Sequence, residues 1–293
     1  MEVSAGSLPE NRLFPAEKLV IAAISFFSLL VVIDHFLHRN REVYLAALSL
    51  PAILLFSVLP ALRKKYHHKP GIFFVLSALS LGGYAYLYKL AGAVINLPGI
   101  GWKDEFLARL DRVVFGFNPN LIITWRPVWL TELMMFAYMA YLPLVVWLAL
   151  MLYRQRGQLE LQKYIFALGL AYVSCFLLFL LVPASSPRFY FENTTPAEGL
   201  FFRRVMELVE SSAQYRGGSF PSAHCAAGAV MLYFALKAGR KVSLVVVPLI
   251  ILFFISTVYG QYHYGVDVIA GILTGFLAVL AVRVASARRS EEN

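Results

Sequence analysis

Residues Val242–Val284, VSLVVVPLIILFFISTVYGQYHYGVDVIAGILTGFLAVLAVRV, form two long apolar runs parted by one short polar junction. Each run is long enough to cross the roughly 30 Å hydrocarbon core of a bilayer as a helix. A backbone in hydrocarbon has no water to bond and must satisfy its own N–H and C=O groups, which selects helices. The junction then lies at a membrane face and carries His263 and Asp267 four residues apart. On a helical register that spacing puts both side chains on one face, where the carboxylate can accept the imidazole N–H and fix its tautomer.

The same pattern recurs outward from this hairpin. Of the 293 residues 59% are hydrophobic and only 15% charged, and the mean hydropathy of +0.68 exceeds what a water-soluble domain needs. Eight spans are predicted, near Leu19–Leu37, Val43–Leu62, Gly71–Leu90, Trp129–Tyr153, Leu161–Val182, Ala223–Ala238, Val242–Tyr259 and Tyr264–Val284, the sixth of them short. The fold class is an all-α, polytopic membrane helix bundle. The first run lacks the small-residue cleavage site of a secretory signal and is expected to remain as a helix. The net charge of +9 comes largely from basic islands beside the spans, which points to headgroups and topology and away from nucleic acid. Cys175 and Cys225 fit neither a metal knuckle nor a disulfide framework.

Those islands, Arg63–Lys69, Arg154–Lys163, Lys237–Lys241 and Arg283–Arg289, fall on one side of an eight-span chain. That side is expected to be cytoplasmic and to hold both termini, with Arg39 and Arg41 running against the rule. Segments 91–128 and 183–222 then lie on the extracytoplasmic face. Within the first, Trp102–Trp125 interleaves Lys103, Asp104, Glu105, Arg109, Asp111 and Arg112 with apolar residues at helical spacing. It reads as a helix in the interface plane, either shaping a lateral entry for a lipid or merely connecting two spans. The expected organisation is two N-terminal helices (1–70), a six-helix catalytic core (71–284) that includes this segment, and a cytoplasmic tail (285–293).

Three polar constellations are predicted to meet at the extracytoplasmic face: PASSPRFY (Pro183–Tyr190), RGGSFPSAHC (Arg216–Cys225) and STVYGQYHYGVD (Ser256–Asp267). In the second, glycines, serines and a proline precede His224 at a helix start, where free N–H groups and the helix dipole favour an anion. The alternative is an ordinary cap by Ser219 or Ser222. Arg188 offers an always-charged fork for two phosphoryl oxygens, or else a headgroup anchor. Arg203, Arg204 and Arg216 are possible helpers, as is Tyr259 within the third constellation. Ionisable groups paired near the membrane interface point to function.

The spacing of Pro221–His224 (PSAH), followed by Ser256, His263 and Asp267 as S-x6-H-x3-D, resembles two signatures of the type-2 phosphatidic acid phosphatase superfamily. The resemblance covers about Gly71 to Val284. It implies phosphoryl transfer in which His263 attacks phosphorus to form a phosphohistidine, Asp267 orients it and His224 protonates the leaving oxygen. Ser222, Gly218, Ser219 and Arg188 would bind the phosphate, with no metal and no other cofactor. The implied partners are a lipid phosphate substrate and the bilayer.

Two positions depart from the superfamily pattern: Leu181 stands where its first signature has Lys, and Thr257 where its third has Arg. With GSFPSAH and the upstream LDRVVFGFNP (Leu110–Pro119), this looks more like the branch of inositol phosphorylceramide synthases and their bacterial relatives. A site with fewer cations suits a singly charged phosphodiester, so headgroup transfer stands beside hydrolysis. A proton relay in a transporter would need polar residues along mid-membrane helices, whereas these spans are almost uniformly apolar. A His/His/Asp zinc hydrolase is the remaining alternative, and activity after exhaustive chelation would eliminate it.

Overall fold

The computed structural model describes residues 12–191, 198–213 and 215–291. Its helices are α1 (Pro15–His38), α2 (Tyr44–Tyr66), α3 (Pro70–Ala78), α4 (Ser80–Ala93), α5 (Asp104–Phe115), α6 (Pro119–Ile122), α7 (Val128–Arg156), α8 (Gln158–Leu181), α9 (Pro187–Tyr190), α10 (Phe201–Ala213), α11 (Ala223–Ala238), α12 (Arg240–Tyr259) and α13 (Gly265–Glu291). Seven stretches are long and apolar enough to cross a membrane: α1, α2 with its preceding 3-10 turn, α3 with α4, α7, α8, α12 and α13. The chain is a polytopic helical membrane protein. Large apolar side chains such as Leu54, Leu142, Leu236 and Leu277 point outward, as a hydrocarbon solvent allows.

The expected sixth span is α11, whose 16 residues fall short of a full crossing, so seven candidate spans stand where eight were expected; it packs among α7, α8, α12 and α13. Its Ala- and Gly-rich sequence lets neighbours approach closely. A Cβ on Gly271 would lie 2.4 Å from the carbonyl oxygen of Ser222, and one on Gly275 2.1 Å from that of Ala226. Only glycine at these two positions lets α13 run against the α11 backbone, and this contact sets the distance between the helix that bears His224 and the one that bears Asp267.

Two further features differ from the sequence expectation. The third span divides at Leu79 into α3 and α4. Segment 183–222, read from sequence as a set of motif loops, also contains the amphipathic helix α10, with Met206 buried and Phe201 and Leu208 exposed. At one end of the bundle, buried Arg63 pairs with Glu17 and stacks 3.8 Å from the Phe14 ring, while Glu160 binds Lys163 at 2.9 Å and Lys237 at 2.7 Å. The three polar constellations meet at the other end.

Candidate active site

The first two constellations are joined backbone to backbone. The Ala184 N–H donates to the Gly217 carbonyl at 3.2 Å, and the Ser219 N–H to the Ala184 carbonyl at 3.3 Å. The third is tied to both: the Arg188 N–H donates to the Gln261 carbonyl at 3.2 Å, and the Ser222 N–H to the Asp267 carbonyl at 3.0 Å. Loops distant in sequence thus share one hydrogen-bonded floor.

His263 is 4% exposed, and its Nδ1 lies 2.9 Å from the Ser219 carbonyl oxygen. A carbonyl can only accept, so Nδ1 carries the proton and Nε2 the lone pair. Asp267 Oδ2 is farther from Nδ1, at 3.4 Å. It accepts instead from the Ser219 hydroxyl at 2.6 Å and the Tyr264 N–H at 2.9 Å. The carboxylate predicted to hold the imidazole directly therefore holds it largely through Ser219, which touches both. Burial pushes the His263 imidazole down to about 4, partly opposed by its bond to the Ser219 carbonyl.

His224 lies in the first turn of α11, half-buried, with its ring centroid 6.2 Å from that of His263. Tyr138 and Tyr141 of α7 flank it at 5.8 and 5.6 Å between centroids. Ser222 is the helix cap, its hydroxyl accepting the Cys225 N–H at 3.2 Å. Gly218 is half-buried beside Phe179. The Arg188 guanidinium sits 4.6 Å from the Phe189 ring and 5.6 Å from Tyr262, and Arg216 reaches the same Phe189 ring at 4.5 Å. Two cations thus flank one ring next to the histidine loop.

The other helpers gather elsewhere. Arg203 pairs with Glu207 at 3.2 Å on α10, and Arg204 is exposed on the same helix. Tyr259 is buried with its hydroxyl 2.8 Å from that of Thr131, and Arg126 lies 5.7 Å from its ring. Leu181 is 60% exposed, and the Thr257 hydroxyl donates to the Phe254 carbonyl at 2.7 Å. Motif spacing gave no sign of Tyr138 and Tyr141, which lie on a uniformly apolar span, or of Asp104, Asp111 and Asn120. Asp104 and Asp111 are seven residues apart and share a face of α5, whereas Asn120 lies on α6.

No curated protein and no solved structure shows a significant match to the chain. The sequence pattern of the PAP2 superfamily, however, matches residues 105–281, well over half of the chain and inclusive of every loop just described. With the S-x6-H-x3-D spacing and the meeting of its loops at one end of a helical membrane bundle, the chain belongs to the PAP2 superfamily.

Proposed function

We propose that the protein cleaves a lipid phosphate ester through a phosphohistidine on His263, with water as the usual acceptor. Superfamily membership supports phosphatase or phosphotransferase chemistry on lipid phosphates in general. The observation that supports the finer reading is the Ser219 carbonyl at His263 Nδ1, which leaves Nε2 with the lone pair that a nucleophile needs. Nε2 attacks phosphorus as the P–O bond to the leaving group breaks, and His224 gives that oxygen its proton. Water then attacks the phosphorus while His224, now neutral, accepts a proton from that water, and the P–N bond breaks to free the product and the neutral His263 imidazole. Asp267 and Ser219 stabilise the positive imidazole ring between the two steps. Arg188 and Arg216, which flank the Phe189 ring beside the Tyr262–His263 loop, supply positive charge for the phosphoryl group, while Gly218 and the turn before α11 supply backbone donors.

A second reading, transfer of a phospho-alcohol headgroup between lipids, draws support from Leu181 and Thr257. Neither residue carries a charge; the first side chain faces outward and the second is bonded within its own helix. The catalytic unit in both readings is the six-helix core, residues 71–284. The positive-inside rule favours a cytoplasmic location for the basic end, Arg63 to Arg288, and an extracytoplasmic one for the site.

The experiment supplies purified protein with phosphatidic acid, or with a polyprenyl diphosphate, and follows both free phosphate and new lipid products. Phosphate release without added alcohol supports hydrolysis; release only with a lipid alcohol makes the protein a transferase. His263→Ala is expected to lose turnover and any acid-labile phosphoenzyme. His224→Ala is expected still to become phosphorylated from a substrate with a good leaving group, and equal trapping in the two variants refutes the division of roles.

A further inference from the structure

The interfacial segment that precedes α7 does more than rest on the membrane. The buried stripe of α5 is Asp104, Leu107, Ala108 and Asp111, so two carboxylates face inward. Phe106 and Val114 are more than half exposed and Val113 is 81% exposed on the outer side. The outer side also carries the exposed pair Glu105 and Arg109, so the two carboxylates buried on the inner side are set apart from the solvated charges of the same helix. Each inward carboxylate meets backbone N–H groups of a motif loop.

Asp104 accepts from the Ser185 N–H at 2.9 Å, the Ser186 N–H at 3.1 Å and the Tyr264 hydroxyl at 2.9 Å. It thereby joins the loop that carries Arg188 to the residue after His263. Asp111 accepts from the Gly265 N–H at 3.1 Å and the Val266 N–H at 2.8 Å. These are the first two donors of α13, which have no partner within their own helix. The Asn120 amide donates to the Val258 carbonyl at 3.2 Å and to the carbonyl of His263 itself at 3.1 Å. The contact is also close in space, since a Cβ on Gly265 would lie 2.5 Å from the Phe115 ring.

Asp104, Asp111 and Asn120 thus bracket two loops whose backbone includes costly conformations. Ser186 and Gln261 adopt positive φ values of 97° and 60°, costly conformations for residues with a side chain. Ser186 is held by Asp104 through its N–H, and the Gln261 carbonyl is held by the Arg188 N–H.

We propose that Asp111, with Asp104 and Asn120, positions the reacting groups: Asp111 sets the spacing between His263 and Asp267, and Asp104 sets the Arg188 loop against them. These are positioning residues, because their bonds described above run to the backbone of the loops that carry the reacting groups and to the Tyr264 hydroxyl. The proposal rests on the phosphoryl-transfer reading above.

The test uses the full chain in lipid nanodiscs with Asp111→Asn, Asp104→Asn, the exposed control Arg109→Ala and the nucleophile variant His263→Ala. Turnover of short-chain phosphatidic acid is read as kcat and KM, and hydrogen exchange is followed in peptides covering residues 260–268. Asp111→Asn is expected to lower kcat by roughly a hundredfold with KM nearly unchanged, the signature of a misplaced reacting group. Exchange in 260–268 should rise by about tenfold or more while the other spans stay protected. Asp104→Asn should act in the same direction, and Arg109→Ala should match the parent. Unchanged exchange in 260–268, or a kcat loss matched by global loosening, overturns the positioning role. An inactive parent, or an active His263→Ala, counts against the phosphohistidine reading instead, and the exchange data decide the bracket in either case.

Discussion

At the scale of single residues, His263 sets the chemistry and its pH range. Burial pushes its imidazole down to about 4, whereas an unfolded chain holds it near about 6.5. Between those values the unfolded chain binds the extra proton, so the stability this residue contributes is complete above about 6.5 and is lost as pH falls through about 4. The acid limb of kcat/KM that belongs to this imidazole is accordingly expected near 4, and a pH–rate profile whose nucleophile protonates near 6.5 would contradict the buried neutral form. Ser219→Ala removes the hydroxyl that bridges Asp267 and the imidazole and leaves a buried carboxylate oxygen short of a donor. We expect roughly a tenfold loss of kcat, measured on the purified protein. Ser222→Ala removes a helix cap, and its cost should appear as about 1 kcal/mol of stability in thermal unfolding. The spacing of Ser256, His263 and Asp267 made the site legible in the sequence. That a backbone carbonyl, not the carboxylate, stands nearest to Nδ1 depends on how two distant loops meet, and spacing within one motif carries no such information.

Among the elements, the contact of α13 with α11 has the least room for change. Gly271→Val puts branched carbons where even a Cβ meets the Ser222 carbonyl, and should cost about 2 kcal/mol or more in unfolding and pull Asp267 away from Ser222. Gly82→Ala, on α4 with open space around its Cβ, should be neutral or slightly stabilising in the same assay. The spans were legible because hydrocarbon imposes a long apolar run on every crossing helix, and the predicted boundaries fall within or beside the observed helices. The break at Leu79 was not, since an apolar run reads the same with or without an interruption of its hydrogen bonds. Helix α5 was legible as amphipathic, but its charges looked alike. Glu105 and Arg109 form an exposed pair at 3.2 Å, whereas Asp104 and Asp111 are buried, and the seven-residue separation of the latter two was the available sign. Helix α10 went unseen because its apolar residues, among them Phe201, Phe202, Val205, Met206, Leu208 and Val209, are interleaved with charges in a run too short to cross a bilayer.

Across the whole molecule, one buried apolar cluster runs from Ala16 to Val282 and includes side chains of α1, α2, α4, α7, α8, α11, α12 and α13. At its basic end, Arg63→Ala would leave Glu17 buried without its cation and should cost about 3–5 kcal/mol. That variant should keep the kcat of the molecules that stay folded, because the site lies at the opposite end. The proposed orientation can be read by labelling, since Cys175 and Cys225 are both buried and give little background. A thiol reagent unable to cross membranes should reach Thr124→Cys in intact cells and Lys65→Cys only after permeabilisation; the reverse pattern would invert the topology. Several supports of the site lie outside the stretch shared with the superfamily. Asp104 stands one residue before its start, and Glu42, ahead of α2, bonds the Tyr215 hydroxyl at 3.2 Å just upstream of Arg216. The Tyr215 ring also covers Gly92 on α4, leaving no room there for a Cβ. What relatives have in common is thus smaller than what must fold as one piece. A chain trimmed to the common stretch would retain every signature residue and still lose the anchor of the Arg188 loop, so ancestry and mechanical integrity draw their borders at different places along this polypeptide.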